Sequence, residues 1–575
     1  MELNWIDRVG DWNPQLLREI KGRLNFRNIA IAGGMSLLGQ MLLLFIFWNQ
    51  LPGESSSVTT YNRFCTGNGQ QCLIDAAGNF EINWQLWSLD LFLWIGFVSI
   101  FALLVGGTYM LIGDLAHEER RGTLNFLRLS PQSTVSLLTG KLLGVPIVLY
   151  AVVLLAVPLH LWAGLTAQIP LGLILSFYVV QIASCAFFYS ASLLFGLVSA
   201  FLSGFQAFLG SGLVLMYLSI TSSKLMPYYY GVVTHTAVDW LNLFSPSFIL
   251  PYVVFPVSST LEEAKNYFPY ANLEMLRWFN LPVGASAVGA VSLLLLNYAV
   301  CSYWVWQALK RRFPNPTSTL LSKGQSYALV ACFEVVFLGF AQPIVLNDGY
   351  TDGWFKNFIW LLAFNQGLFL TLMAALSPHR QALQDWARYR KVKNTKTKGI
   401  FGFLNLPSSW KDLIWGEKSP SVVAIGLNLA IASTMLLPWI LIWPTQDNKM
   451  SAVLAWLLSV NSLLIYASIA QLMLFMKTPK RAVWAIATVA GLMFLPPIIG
   501  GMLSISTDTM PALWLLSALP WGAVEHAGAT TIIMTVLGQW LGFALLNIQT
   551  TRQLRLAGES ESKAILAGRR SLPAS

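Results

Sequence analysis

The sequence predicts an all-α, polytopic membrane protein of about twelve transmembrane helices, and three observations carry that expectation. Of its 575 residues, 55% are hydrophobic and only 11% are charged, where soluble globular chains carry about 25% charged residues. Apolar runs long enough to cross a bilayer, roughly 17–25 residues each, recur along the whole chain. Basic residues gather in alternate connectors, as lysine and arginine do in cytoplasmic loops.

The runs fall near 28–50, 87–112, 135–165, 170–201, 205–222, 281–307, 326–346, 354–376, 420–443, 450–476, 482–505 and 525–548. Lipid offers no partner to a backbone N–H or C=O, so these are helices rather than strands. Segments 1–27, 113–134, 308–325, 377–419, 477–481 and 549–575 hold nearly all the basic residues; the loops between hold only Arg63, Lys224, Lys265, Arg277 and Lys449. This alternation predicts that both termini are cytoplasmic, and places Trp84, Trp87, Trp94, Trp354 and Trp443 in an outer aromatic belt. It also accounts for the net charge of +10 without a nucleic-acid partner. The first apolar run follows nearly thirty polar or amphipathic residues and is too long for a signal-peptide core. Cys185, Cys301 and Cys332 lie in apolar runs, whereas Cys65 and Cys72 share the large outer loop and are candidates for a disulfide in an oxidising compartment.

Four pairs of short matches, in the same order, suggest an internal duplication. NPQLLREIKG (13–22) pairs with NPTSTLLSKG (315–324), Ser130-Pro131 with Ser419-Pro420, SFILP (247–251) with SALP (517–520), and QALKRR (307–312) with QLRLAG (553–558). The displacement falls steadily, as expected if the second copy has shorter outer loops. The expected organisation is two parallel six-helix halves, 1–312 and 313–575.

The most informative connector is GDLAHEERRGTLNFLRLSPQST (113–134), which packs six charges and a histidine between two apolar runs. Leu124, Leu127 and Leu129 recur at helical spacing; Thr123 could cap a short helix, and Pro131 ends it or opens the next span. The reading is a short amphipathic helix at the membrane surface. Mixed acids and bases suit docking to a protein, where charges set register, better than binding to anionic headgroups, which would repel Glu118 and Glu119.

The stretch EERRGTLNFLRLSPQSTVSLLTGK (118–141) resembles the permeases of type-2 ABC exporters. In that family this connector carries a coupling helix that seats in the ATP-binding subunit. The resemblance implies that Glu118, Glu119, Arg120, Arg121, Gly122, Thr123, Leu124, Leu127 and Pro131 lie at or beside an ATPase contact. LLREIKGRLNF (16–26) resembles the family's cytoplasmic elbow helix, and FSPSFILPYVVFP (244–256) and LLSALPWG (515–522) resemble its outward re-entrant element. The second connector, 380–420, departs from the pattern: it lacks the Gly-Thr pair and is twice as long. Its Lys411, Asp412, Trp415 and Glu417 are candidates for an analogous docking helix.

A phosphate-cradling G-x-x-x-x-G-K-[ST] loop is missing: Gly140-Lys141 is followed by Leu142 and preceded at the required place by Val135. The longest inner connector, 377–419, is too short for a nucleotide-binding domain. ATP and Mg²⁺ would therefore belong to a separate ATP-binding subunit, expected in two copies, and the chain itself holds no cofactor or metal and is not an enzyme. Membrane lipid and a second permease chain are further expected partners, and the expected location is a bacterial inner membrane. Glu334, inside the seventh run, is an intramembrane polar site, either a contact for substrate or ion or a structural acid. Two rivals remain. An ion-coupled carrier of twelve-helix type would want several buried acids, and a membrane enzyme acting on lipid-linked substrates would want clustered acids and histidines at one face.

Overall fold

The computed structural model describes residues 4–52, 62–66, 72–74, 79–202, 204–225, 232–259, 261–268, 271–341, 352–396, 406–443, 448–478 and 480–557. Among them the secondary structure is helical, with isolated bridges and no named strand. Ten helices among the described residues are long and apolar enough to cross a membrane, which makes the chain a polytopic helical membrane protein. Outward faces are correspondingly greasy: Phe26, Met35, Leu38, Met41 and Phe45 of one span are all more than half exposed, as lipid-facing residues are.

The described residues divide into two compact units, 1–234 with 238–314, and 235–237 with 315–575. The first begins with two short helices, α1 (Asn4–Trp12) and α2 (Pro14–Arg23). The spans α3 (Phe26–Trp48) and α4 (Trp84–Arg120) follow. Then come α5 (Thr123–Arg128), α6 (Thr134–Gly144), α7 (Ile147–Thr166), α8 (Leu171–Val198), α9 (Gln206–Ser223) and α10 (Ala287–Arg312). The second unit contains α11 (Lys323–Phe340), α12 (Asp352–Leu376), α13 (Arg380–Lys396), α14 (Leu406–Trp415), α15 (Val422–Leu441), α16 (Lys449–Leu474), α17 (Arg481–Met502) and α18 (Ala529–Ala557). Of the twelve expected spans, 205–222 and 326–346 correspond to α9 and α11, helices of 18 residues each that fall outside the ten.

Three sequence expectations change. The second span does not stop near Ile112. It runs unbroken to Arg120 over 37 residues, with a π-helical turn at Ala102–Gly106. At 1.5 Å per residue that is about 55 Å, against a hydrocarbon core of about 30 Å, so the charged end of α4 projects beyond the apolar layer. The run 135–165 is two helices, broken at Val145-Pro146 where proline removes a donor. The tryptophans are not all a belt: Trp87 is buried and donates to the Phe47 carbonyl at 3.0 Å. Trp443 is likewise buried, packed against Trp439 and Trp354.

The repeated motifs also diverge. Asn13 caps α2 with Pro14 at its first position, so NPQLLREIKG is helix, whereas NPTSTLLSKG is turn until Lys323 opens α11. Lys21 sits in the last turn of one helix and Lys323 is the first residue of another. The short apolar pieces are broken helical segments in both units: Pro246–Ile249 with Leu250–Val254, and Pro511–Leu515 with Trp521–Val524. The loop 347–353 lies, up to residue 351, outside the described residues.

Cys65 and Cys72 are bonded, with Cα atoms 5.4 Å apart. Around them Thr66 N–H donates to Glu81 (2.9 Å), Leu73 N–H to Thr66 (2.7 Å) and Asn83 N–H to Phe64 (2.8 Å), tying the loop to the start of α4. Closing so short a loop restricts the unfolded chain by roughly 2–3 kcal/mol. Replacing both cysteines by serine is therefore expected to lower stability by about that amount, read as an earlier thermal unfolding transition in detergent.

Candidate functional site

The charged connector forms at the projecting end of α4. Gly122 takes a left-handed conformation (φ 73°), which glycine adopts without a Cβ penalty. Its N–H donates to the Glu119 carbonyl at 3.1 Å. Thr123 is the first residue of α5 rather than a cap acceptor, and its hydroxyl donates to the Glu118 carbonyl at 3.1 Å, satisfying a carbonyl that the helix end leaves unpaired. The Gly-Thr pair thus makes a tight reversal from α4 into α5. Pro131 lies past the end of α5, and Ser133 caps α6 through the Ser136 N–H.

Behind this reversal lies a buried charge cluster. Lys141 of α6 is 1% exposed, with its Nζ 2.6 Å from Asp114, 2.8 Å from Glu118 and 3.5 Å from Glu19. Two arginines of α2 complete it: Arg18 reaches Glu118 at 2.8 Å, and Arg23 bridges Asp114 (2.5 Å) and Glu19 (3.0 Å). Three carboxylates thus meet three cations. The carboxylates are close enough together to hold a metal ion, but the Lys141 ammonium stands among them as the cation.

Glycine lets the helices approach. A Cβ at Gly140 would lie 2.8 Å from the Leu16 backbone nitrogen, and one at Gly144 would overlap the Glu19 side chain. Asn13 fastens the same corner: its Nδ2 donates to the Ser136 carbonyl at 2.8 Å while its Oδ1 accepts the Leu16 N–H at 2.9 Å. The segment 16–26 is therefore a helix laid against α6, ending at Arg23, and its charges point inward to the cluster as well as outward.

The docking residues expected from sequence separate into two groups. Glu118, Leu124 and Leu127 are buried, Glu118 being consumed by Lys141 and Arg18. Glu119, Arg120, Arg121, Gly122, Thr123 and Pro131 are exposed. Phe126 and Leu129, 76% and 86% exposed, join them. The outer face of the connector thus combines mixed charge with two bare apolar side chains. In the second unit Lys411, Asp412 and Trp415 lie on α14 and Glu417 just beyond it. Lys411 and Glu417 are exposed, and Trp415 packs edge-on against Tyr327 at 5.6 Å, whose hydroxyl donates to the Ile414 carbonyl. This corner is fastened by Lys323, which donates to Leu413 (2.7 Å), Ser419 (2.5 Å) and Pro420 (3.1 Å) and meets no carboxylate among the described residues. Glu334 is fully buried in α11, and neither of its oxygens makes a hydrogen bond among the described residues.

The connector is legible in the sequence, whereas the cluster behind it is not evident from any short motif. The available signal was Lys141, a lone cation in the apolar TVSLLTGKLLG, which has to find opposite charge once buried.

The fold and this corner define an integral membrane protein with a braced, exposed connector. Among known proteins, no family model, no curated protein and no solved structure matches the chain.

Two outcomes are expected here. Burial alone would lower the Lys141 pKa, but Asp114, Glu118 and Glu19 outweigh it and raise it above the ordinary 10.5. Its contribution is then complete below that value and fades as pH climbs through the higher folded value. Lys141→Met leaves three facing carboxylates and is expected to cost about 3–5 kcal/mol. In thermal melts the wild type should lose stability above the ordinary lysine value while the variant stays flat there. Gly140→Val is expected to lift α2 from α6, exposing the segment to proteolysis near Leu24 while α7 and later spans stay protected.

Proposed function

We propose that this chain is the membrane-spanning subunit of an ABC exporter, moving a lipid-like or amphiphilic substrate by alternating access under the drive of a separate ATP-binding subunit. The observation that carries the reading is the exposed face of the connector, where Glu119, Arg120 and Arg121 stand beside Phe126 and Leu129. Apolar anchors ringed by charge suit a protein contact. The surface is also mechanically grounded, because α4 is tied through Glu118 and Asp114 to α2 and α6 and Thr123 of α5 donates to the Glu118 carbonyl. A push on the connector therefore moves a helix pair rather than a loop.

In this reading both termini and the connectors are cytoplasmic, α9 and α11 complete a set of twelve spans, and the two units act as six-helix halves. The reading also places the chain in a bacterial inner membrane, with α14 as a second ATPase contact. The rival ion-coupled carrier rests on one observation, the fully buried Glu334, since ionisable groups inside a membrane mark ion paths.

Purification from native membranes in mild detergent is expected to bring down an ATPase. Combined charge reversal, Glu119→Lys with Arg121→Glu, should abolish that association, and Phe126→Ala with Leu129→Ala should weaken it at least tenfold, with the unfolding temperature unchanged. Association untouched by both variants would overturn the connector's role. A carrier would instead keep transport in these variants and lose it in Glu334→Gln.

A further inference from the structure

A cavity of about 1020 Å³ opens in the first unit between the early turns of α4, the end of α9 and residues 263–268. Its size lies at the top of the range for small-molecule sites, roughly 300–1,000 Å³. The two ends differ in chemistry. One wall is apolar and aromatic, with Leu93, Trp94, Phe97 and Phe101 along α4, and Trp94 and Val98 stand about half exposed, leaving that side open. The mouth is polar, formed by Arg63, Asp90, Glu263 and Tyr267.

The mouth carries both signs of charge in a fixed arrangement. Asp90 is 5% exposed and takes an Arg63 Nη2 donor at 3.1 Å together with the Tyr267 hydroxyl. The Arg63 guanidinium lies 4.8 Å from the Tyr267 ring centre, so one buried carboxylate and one ring hold it in place. A guanidinium has five N–H donors in a planar fork, and the Asp90 pair engages a single nitrogen. The Arg63 side chain is 55% exposed and lines the cavity, so the fork is not used up by its protein partners. Arg63 lies two residues before Cys65, which is bonded to Cys72. Glu263, also at the mouth, makes no hydrogen bond or ion pair among the described residues.

We propose that this cavity binds a zwitterionic amphiphile. Its tail lies along the aromatic wall of α4, its anionic group is held by the Arg63 fork, and its cationic group faces Glu263. A purely anionic headgroup meets Glu263 unfavourably, and a purely cationic one meets Arg63. The inference goes beyond the exporter reading and needs no ATPase, so either can fail without the other.

The test uses the purified full chain in a maltoside detergent, with pyrene-tailed lysophosphatidylcholine as probe and tryptophan-to-pyrene transfer as readout. Lysophosphatidic acid and hexadecyltrimethylammonium serve as competitors. Wild type is expected to prefer lysophosphatidylcholine over both by tenfold or more. Arg63→Gln should weaken lysophosphatidylcholine and lysophosphatidic acid about tenfold, and Glu263→Gln should weaken lysophosphatidylcholine and the ammonium amphiphile alone. Val98→Trp, on the open side of the wall, should block all three. Monodisperse elution and an intact Cys65–Cys72 bond qualify each variant. Equal competition by the three headgroups, tighter binding of lysophosphatidic acid, or unchanged binding in Val98→Trp would each overturn the proposal.

Discussion

A lysine buried in an apolar helix needs opposite charge or a full set of neutral acceptors around its ammonium, and the first of these solutions organises one whole end of the first unit. Lys141 is 1% exposed and meets three carboxylates brought from two other helices. Separating any of these buried charges costs several kcal/mol, because the partners left behind are neither solvated nor paired. Convergence of α2, α4 and α6 is therefore a condition for burying Lys141 at all. Gly140 and Gly144 are the steric half of the same condition, since side chains there would hold α2 off before Glu19 reached the ammonium. The exposed connector is the tip of this corner and inherits its rigidity.

The membrane class was legible because its signal is composition over long windows, and spans of twenty or more apolar residues have few alternatives. Boundaries were less legible. The charges from Asp114 to Arg120 read as a loop, yet they continue α4, since a helix that outruns the hydrocarbon can carry charge on its last turns. The cluster was illegible for a different reason: three of its ion pairs join residues 91, 100 and 122 positions apart, and each acid and arginine taken singly looks like ordinary surface. The Cys65–Cys72 bond was partly legible, because two cysteines in one loop have little else to do in an oxidising compartment.

The repeated motifs teach the opposite lesson. Asn-Pro followed by Lys-Gly occurs at 13–22 and 315–324, but proline fits either the first turn of a helix or a turn, so the same letters served two structures. The tryptophans were ambiguous in the same way. An indole has a large apolar body and one donor, which suits a membrane interface or a buried pocket with a carbonyl in reach, and Trp87 found the Phe47 carbonyl.

One helix links the connector to the cavity. Along α4, Asp90 sits at the cavity mouth, the π-helical turn Ala102–Gly106 follows, and Asp114 and Glu118 sit in the charge cluster. A displacement imposed on the connector cannot be absorbed at the cluster without parting buried charges. Nor can it be absorbed at Gly107, where the Tyr189 ring lies so close that even a methyl group would overlap it. The weaker place is the π turn itself, whose wider hydrogen-bond pattern is a local departure from the α-helical minimum and is common at functional positions. Phe101 and Ala102 line the cavity at that turn, so the segment best able to yield is the one whose yielding would change the cavity's wall.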